Sequence, residues 1–151
     1  MKNFSELLAT DRQLHVCIRL RVIADAGIPW VTVKVNGTLE LDQALAGSAL
    51  ILTDIPCDQS WSIDITMRDK VYRQDLETAV IVDCVEIDGH NLVPEFTHLA
   101  HYHNDHGQPN ATNYLGWNGT WGFRSDRAFY QWLHQNTGQG WLLEPISYEE
   151  S

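Results

Sequence analysis

The chain has 151 residues, 44% of them hydrophobic and 20% charged. That is the balance of one globular domain, long enough to bury a core without disulfide or metal staples. Its net charge is −10 and its ten Lys and Arg are scattered. This excludes nucleic acid or an anionic membrane as partner, because phosphate contacts need clustered basic side chains.

Three cysteines (Cys17, Cys57, Cys84) are too few and too far apart for a disulfide framework. Cys17 and Cys84 fall in strand-like runs, where a thiol is expected as a small buried hydrophobe. The N-terminus lacks the apolar run of a signal peptide, and no stretch reaches membrane-spanning length. The chain is therefore expected to be made in a reducing cytosol.

In chain order, Ser5 to Thr10 offers a short, weak helix. Leu14, Val16, Ile18, Leu20 and Val22 alternate with polar residues, which predicts a long strand with one apolar face. Ala26-Gly27-Ile28-Pro29 is a turn, and Val31, Val33 and Val35 resume the alternation. Asn36-Gly37 is the strongest hairpin signal in the chain. An irregular linker is expected over 42–49, then a short buried strand at Leu50-Ile51-Leu52. Trp61, Ile63, Ile65 and Met67 predict another half-buried strand, followed by exposed Arg68-Asp69-Lys70. Ala79 to Ile87 suits a central strand turned by Asp88-Gly89. Glu95 to Tyr102 is a candidate strand, and Leu115, Trp117, Gly119, Trp121 and Phe123 share one face of a further one.

The second helix is stronger and runs from Asp126 to Asn136. Asp126 suits its cap, Phe129, Trp132 and Leu133 its buried face, and Gly138 its stop. Trp141-Leu142-Leu143 suits a last strand. Short strands between turn signals predict a mostly β fold: a two-sheet antiparallel, jelly-roll-like β-sandwich with one C-terminal α-helix. One domain spans 1–151, with 1–13 as an N-terminal arm and 124–151 as the helix and C-terminal strand and tail.

Chemistry concentrates at His98 to His106, where four of the seven histidines fall within nine residues. His101, His103, Asp105 and His106 spell H-x-H-x-D-H. Imidazoles and a carboxylate suit zinc or iron, and a metal-bound water becomes a nucleophile near neutral pH. The run resembles the metal signature of the metallo-β-lactamase superfamily, which implies a metal-dependent hydrolase. The setting opposes it: that superfamily has a larger αββα fold, its motif leads into a helix, and here Gly107-Gln108-Pro109-Asn110 follows. No catalytic residue is assigned, and no enzyme is expected.

Aromatic residues crowd the C-terminal third. Flat rings stack on sugars, but Trp117, Trp121 and Phe123 on a strand face and Phe129, Trp132 and Leu133 on a helix face pack most simply on each other. Tyr114, Asn118 and Thr120 fall on the opposite face and are the better ligand contacts. Asp64, Asp69, Asp83, Glu86 and Asp88 lie at strands or strand ends, where oxygen ligands hold calcium; solvated carboxylates are the simpler reading.

Two resemblances add to this. Val33-x-Val35-Asn36-Gly37, Ile63-x-Ile65 and Val82-Asp83-x-Val85-x-Ile87-Asp88-Gly89 resemble the strands of small jelly-roll carbohydrate-binding modules, particularly calcium-dependent xylan-binding ones. Tyr114-Leu115-Gly116-Trp117-Asn118-Gly119-x-Trp121, Phe129-Tyr130-x-Trp132-Leu133 and Gly140-Trp141-Leu142 resemble uncharacterised β-sandwich proteins of tailed bacteriophages of marine and cyanobacterial hosts. The second resemblance implies a non-enzymatic virion component (capsid decoration, fibre or tail accessory). It would be made in the host cytoplasm and carried in symmetric copies on other virion proteins, with cell-surface glycans as a further partner. The first implies a soluble calcium-dependent glycan binder. No cofactor is required by the leading reading; calcium is the compatible ion, ahead of zinc or iron.

Overall fold

A computed structural model describes residues 12–137. Its strands are β1 (Gln13–Ala24), β2 (Trp30–Val35), β3 (Thr38–Ala44), β4 (Gly47–Pro56), β5 (Trp61–Arg68), β6 (Thr78–Ile87), β7 (His90–Asn91), β8 (His101–Asn104), β9 (Tyr114–Leu115) and β10 (Gly119–Ser125). A helical turn α1 (Leu92–Glu95) and a 3-10 turn (Thr97–Leu99) precede β8, and α2 (Phe129–Thr137) follows β10. All pairings are antiparallel. The first sheet runs β4-β1-β6-β7 with β9 also on β6, and the second runs β3-β2-β5-β10-β8. The two make a β-sandwich with one helix near its C-terminal end.

Alternation builds the core. Leu14, Val16, Ile18, Leu20 and Val22 of β1 are buried, as are Val31, Val33 and Val35 of β2 and Trp61, Ile63, Ile65 and Met67 of β5. These inner faces meet across the sandwich, while the intervening residues stay outside. Asn36 and Gly37 adopt φ of 52° and 76°, the left-handed pair that a two-residue hairpin requires. Asp88 and Gly89 do the same at 51° and 84° between β6 and β7.

Several expectations are corrected. The linker over 42–49 is mostly strand, because β3 runs to Ala44 and β4 starts at Gly47. The short strand at 50–52 is the middle of a ten-residue edge strand; Ile51 is buried, but Leu50 and Leu52 are 51% and 68% exposed. A run of three apolar residues cannot all face inward when strand side chains alternate. Cys57 is the buried thiol, whereas Cys17 and Cys84 are half-buried on the outside of the first sheet. The strand expected over 95–102 is a helical turn, a 3-10 turn and the start of β8. The strand expected over 115–123 is two strands in different sheets: β9 pairs with β6 and β10 with β5. The early helix at 5–10, the Gly138 stop, the strand at 141–143 and most of the N-terminal arm lie outside the described residues.

Helix α2 starts at Phe129, later than its expected cap at Asp126; Ser125 accepts from the Arg127 amide in the turn before it. It seats Phe129 and Trp132 against Trp61, at ring-centroid distances of 5.6 and 5.2 Å with edge-to-face geometry. Phe123 reaches Trp132 edge-on at 6.1 Å. Tyr130 donates to Asp88, which also accepts from Arg12 at 3.3 Å, tying the helix to the β6–β7 turn. Phe129 is fully buried, so Phe129→Ala should cost about 3–5 kcal/mol. Urea unfolding followed by tryptophan emission should show a lower midpoint with little change in slope.

Candidate functional site

Between β9 and β10 the chain crosses from the first sheet to the second through Gly116, Trp117 and Asn118. Beside that crossing lies the loop from Asp69 to Glu77, which joins β5 to β6. The two enclose a cleft of about 550 Å³ whose walls include Tyr72, Trp117, Glu77, Gln108 and Tyr114.

Lys70 builds this cleft. Its side chain is 6% exposed, and Nζ donates to Glu77 Oε1 (3.2 Å), Thr78 O (2.8 Å) and Gly116 O (2.6 Å). A buried ammonium needs such partners to offset lost hydration. The same nitrogen sits 4.5 Å from the Trp117 ring centroid, an attraction of about 2 kcal/mol when desolvated. The expected exposure of residues 68–70 is thus corrected at Lys70, whose partners include the distant Gly116 carbonyl and Trp117 ring.

Glu77 completes the floor. Its carboxylate accepts from Lys70, from the Tyr114 hydroxyl and from the Thr78 amide. Burial pushes the Glu77 carboxyl up, but the Tyr114 and Lys70 hydrogen bonds and the Lys70 charge outweigh it and hold the group below the usual carboxylate value. The Tyr114 hydroxyl is pushed well above the usual phenol value, first by burial and then by its bond to Glu77. Gln108 braces the crossing: Nε2 donates to Tyr114 O at 2.6 Å, and Oε1 accepts from Gly116 N at 3.0 Å.

The aromatic wall stands on this floor. Tyr72 stacks on Trp117 with centroids 5.8 Å apart and planes 23° apart, yet remains 68% exposed. One face of its ring is backed by indole and the other is open. His106 also stacks on Trp117, at 3.6 Å and 10°, while its Nδ1 meets Asp105 at 2.8 Å. Trp117 is therefore a half-exposed wall of the cleft and not the core residue its sequence spacing implies. Trp121 and Phe123 do join the core.

The other expected ligand contacts separate. Tyr114 lines the cleft through its ring and bond to Glu77. Asn118 accepts from the Lys70 amide at 3.0 Å and so positions the loop. Thr120 lies on the outer face of the second sheet, bonded to Thr66 at 2.9 Å. Tyr72, Lys70, Glu77 and Gln108 carried no sequence signal, because each is a single residue in a loop or at a strand end.

The histidine run is divided. His101 and His103 lie on the outer side of β8, with Tyr102 between them turned inward and bonded to the Trp117 carbonyl and amide. Burial pushes the Tyr102 phenol up to about 12, against the bond to Trp117. Asp105 and His106 fall past the strand end, where Asn104 Oδ1 accepts from the His106 and Gln108 amides. The four residues of H-x-H-x-D-H therefore do not converge. Among the described residues no group of three or more His, Cys, Asp or Glu is placed to hold a metal ion. The strand-end carboxylates are dispersed into separate contacts: Asp83 with Arg21, Asp64 with Arg124 and Asp88 with Arg12.

Because folding lowers the Glu77 pKa, its contribution is present above the unfolded value and is lost as pH falls through the folded one. Acid titration should therefore weaken the near-ultraviolet circular dichroism of the Tyr72–Trp117 stack below about pH 4.5. Glu77→Gln should flatten that step; an unchanged step would place its origin elsewhere.

No protein-family model matches the chain, and no curated protein matches it. Two solved structures are similar to it. One is "vCBM60 in complex with galactobiose", 16% identical, with a TM-score of 0.49, covering 73% of this chain and 97% of that one. The other is a selenomethionine form of vCBM60, described within a circular-permutation link between two families of calcium-dependent carbohydrate binding modules. It is 17% identical, with a TM-score of 0.48, covering 74% of this chain and 90% of that one.

Proposed function

We propose that the protein is a non-catalytic glycan-binding β-sandwich, with the Tyr72–Trp117 cleft as its binding site. The observation that carries this is the ring of Tyr72: 68% exposed, yet backed by Trp117 and fixed above a network of Lys70, Glu77, Gln108 and Tyr114. A large apolar ring held open to water beside fixed polar groups is what an amphipathic sugar needs. One pyranose face carries C–H bonds to stack, and its edges carry hydroxyls to bond. Preorganisation matters because a ring already seated loses little entropy when a ligand arrives.

The test is titration with neutral oligosaccharides, followed by Trp117-sensitive emission and by calorimetry. Tyr72→Ala should weaken binding by about 2 kcal/mol or more, roughly thirtyfold. Tyr72→Phe should keep most of it. Trp30→Ala, on the outer side of the second sheet, should change nothing. A chelator arm separates a calcium-dependent site from one built by the protein alone. Equal affinity of Tyr72→Ala and wild type would sink the proposal.

A second reading places the protein on a virion as an accessory component. The observation favouring it is that β3 and β4, both edge strands, pair on one side only among the described residues. Unpaired edges are association sites, and symmetric copies would present the cleft many times over. Mass spectrometry of purified particles of the source virus should then find the chain; its absence would remove this reading and leave the glycan site standing.

A further inference from the structure

We propose that His101 and His103 form a two-imidazole site for a borderline divalent transition-metal ion on the outer face of the second sheet, independent of the glycan cleft. The two residues are i and i+2 on β8, so strand alternation sends both rings to the same side. Their ring centroids are 5.8 Å apart and tilted by 46°. Two imidazoles bound to one ion through nitrogens at about 2.0–2.1 Å place their centroids roughly 5–6 Å apart when the bond angle lies near tetrahedral or somewhat wider. The pair therefore needs little movement to chelate.

The surroundings leave the approach open. His101 stands opposite Gly122 and His103 opposite Thr120. Gly122 has no side chain to screen His101, and Asp64, the next residue across on β5, is engaged by Arg124 at 3.1 Å. That ion pair offsets the guanidinium charge nearest the site. His106 is excluded from the set, since its ring is stacked on Trp117 and its Nδ1 is held by Asp105. Two nitrogens leave the remaining positions to water, which suits a labile or exchangeable ion more than a structural one.

The probe is Cu(II), added to the full chain without an affinity tag and followed by electron paramagnetic resonance. One equivalent should bind with the hyperfine pattern of two imidazole nitrogens. His101→Ala and His103→Ala should each lose the two-nitrogen pattern, and the Gln variants should repeat the loss should either Ala variant fold poorly. His15→Ala and His98→Ala should keep it. Persistence of the pattern in both β8 variants, or its loss in His106→Ala or His15→Ala alone, would overturn the assignment. Oligosaccharide affinity is read separately on Tyr72→Ala, so failure of either proposal leaves the other testable.

Discussion

One buried ammonium holds the cleft end of this molecule together. Lys70 Nζ donates to the Glu77 carboxylate, to a carbonyl at the start of β6 and to the Gly116 carbonyl of the crossing. It thereby joins three segments: the loop after β5, the start of β6 in the first sheet and the point where the chain leaves that sheet for the second. Replacing the charge with a neutral group would leave Glu77 without its counter-ion and two carbonyls without a donor. Glu77 is 45% exposed and can be solvated, so the larger cost falls on the carbonyls left without a donor. The cleft shape and the Tyr72 stack both follow from this contact, because the same nitrogen sits against Trp117 and the same loop carries Tyr72.

Much of the sandwich was legible because strand alternation is local. The buried faces of β1, β2 and β5 and the turns at Asn36-Gly37 and Asp88-Gly89 depend on residues two or three apart, and they fold as they read. The errors share a cause. Leu115, Trp117, Trp121 and Phe123 keep a period of two across a break that the period cannot reveal. Leu115 faces the core from the first sheet, Trp121 and Phe123 face it from the second, and Trp117 lies in the passage between them. Leu50 and Leu52 were misread because apolarity does not report that β4 is an edge. Lys70 was misread because the crossing at Gly116 and Trp117, which covers it, lies more than forty residues away.

The histidine run shows how a linear motif loses its meaning in a strand. A metal signature requires ligands to converge, and a turn or a helix can supply that convergence. In β8 the same spacing sends His101 and His103 to one side and Tyr102 to the other, while Asp105 and His106 fall beyond the strand end. The inward Tyr102 is then recruited by the crossing, through its bonds with Trp117. Four residues that look like one centre are thus divided between an outer sheet face and the loop beyond the strand end.

Charge narrows what the cleft can hold. Asp25, Asp75 and Glu77 line it, and its basic residues are Lys70 and Arg73. Lys70 is already saturated by three acceptors, so it has no hydrogen bond left for an anionic ligand. With a net charge of −10 on the chain, sulfated or uronate-rich chains would be repelled at long range, and Arg73 is the one lining cation not already engaged by acceptors among the described residues. A neutral sugar meets neither obstacle. In the proposed complex its hydroxyls would donate to the lining carboxylates and its C–H face would meet the exposed ring of Tyr72. On the proposed glycan-binding reading, the acidic lining would favour uncharged glycans over anionic ones by the absence of a penalty as much as by contacts made.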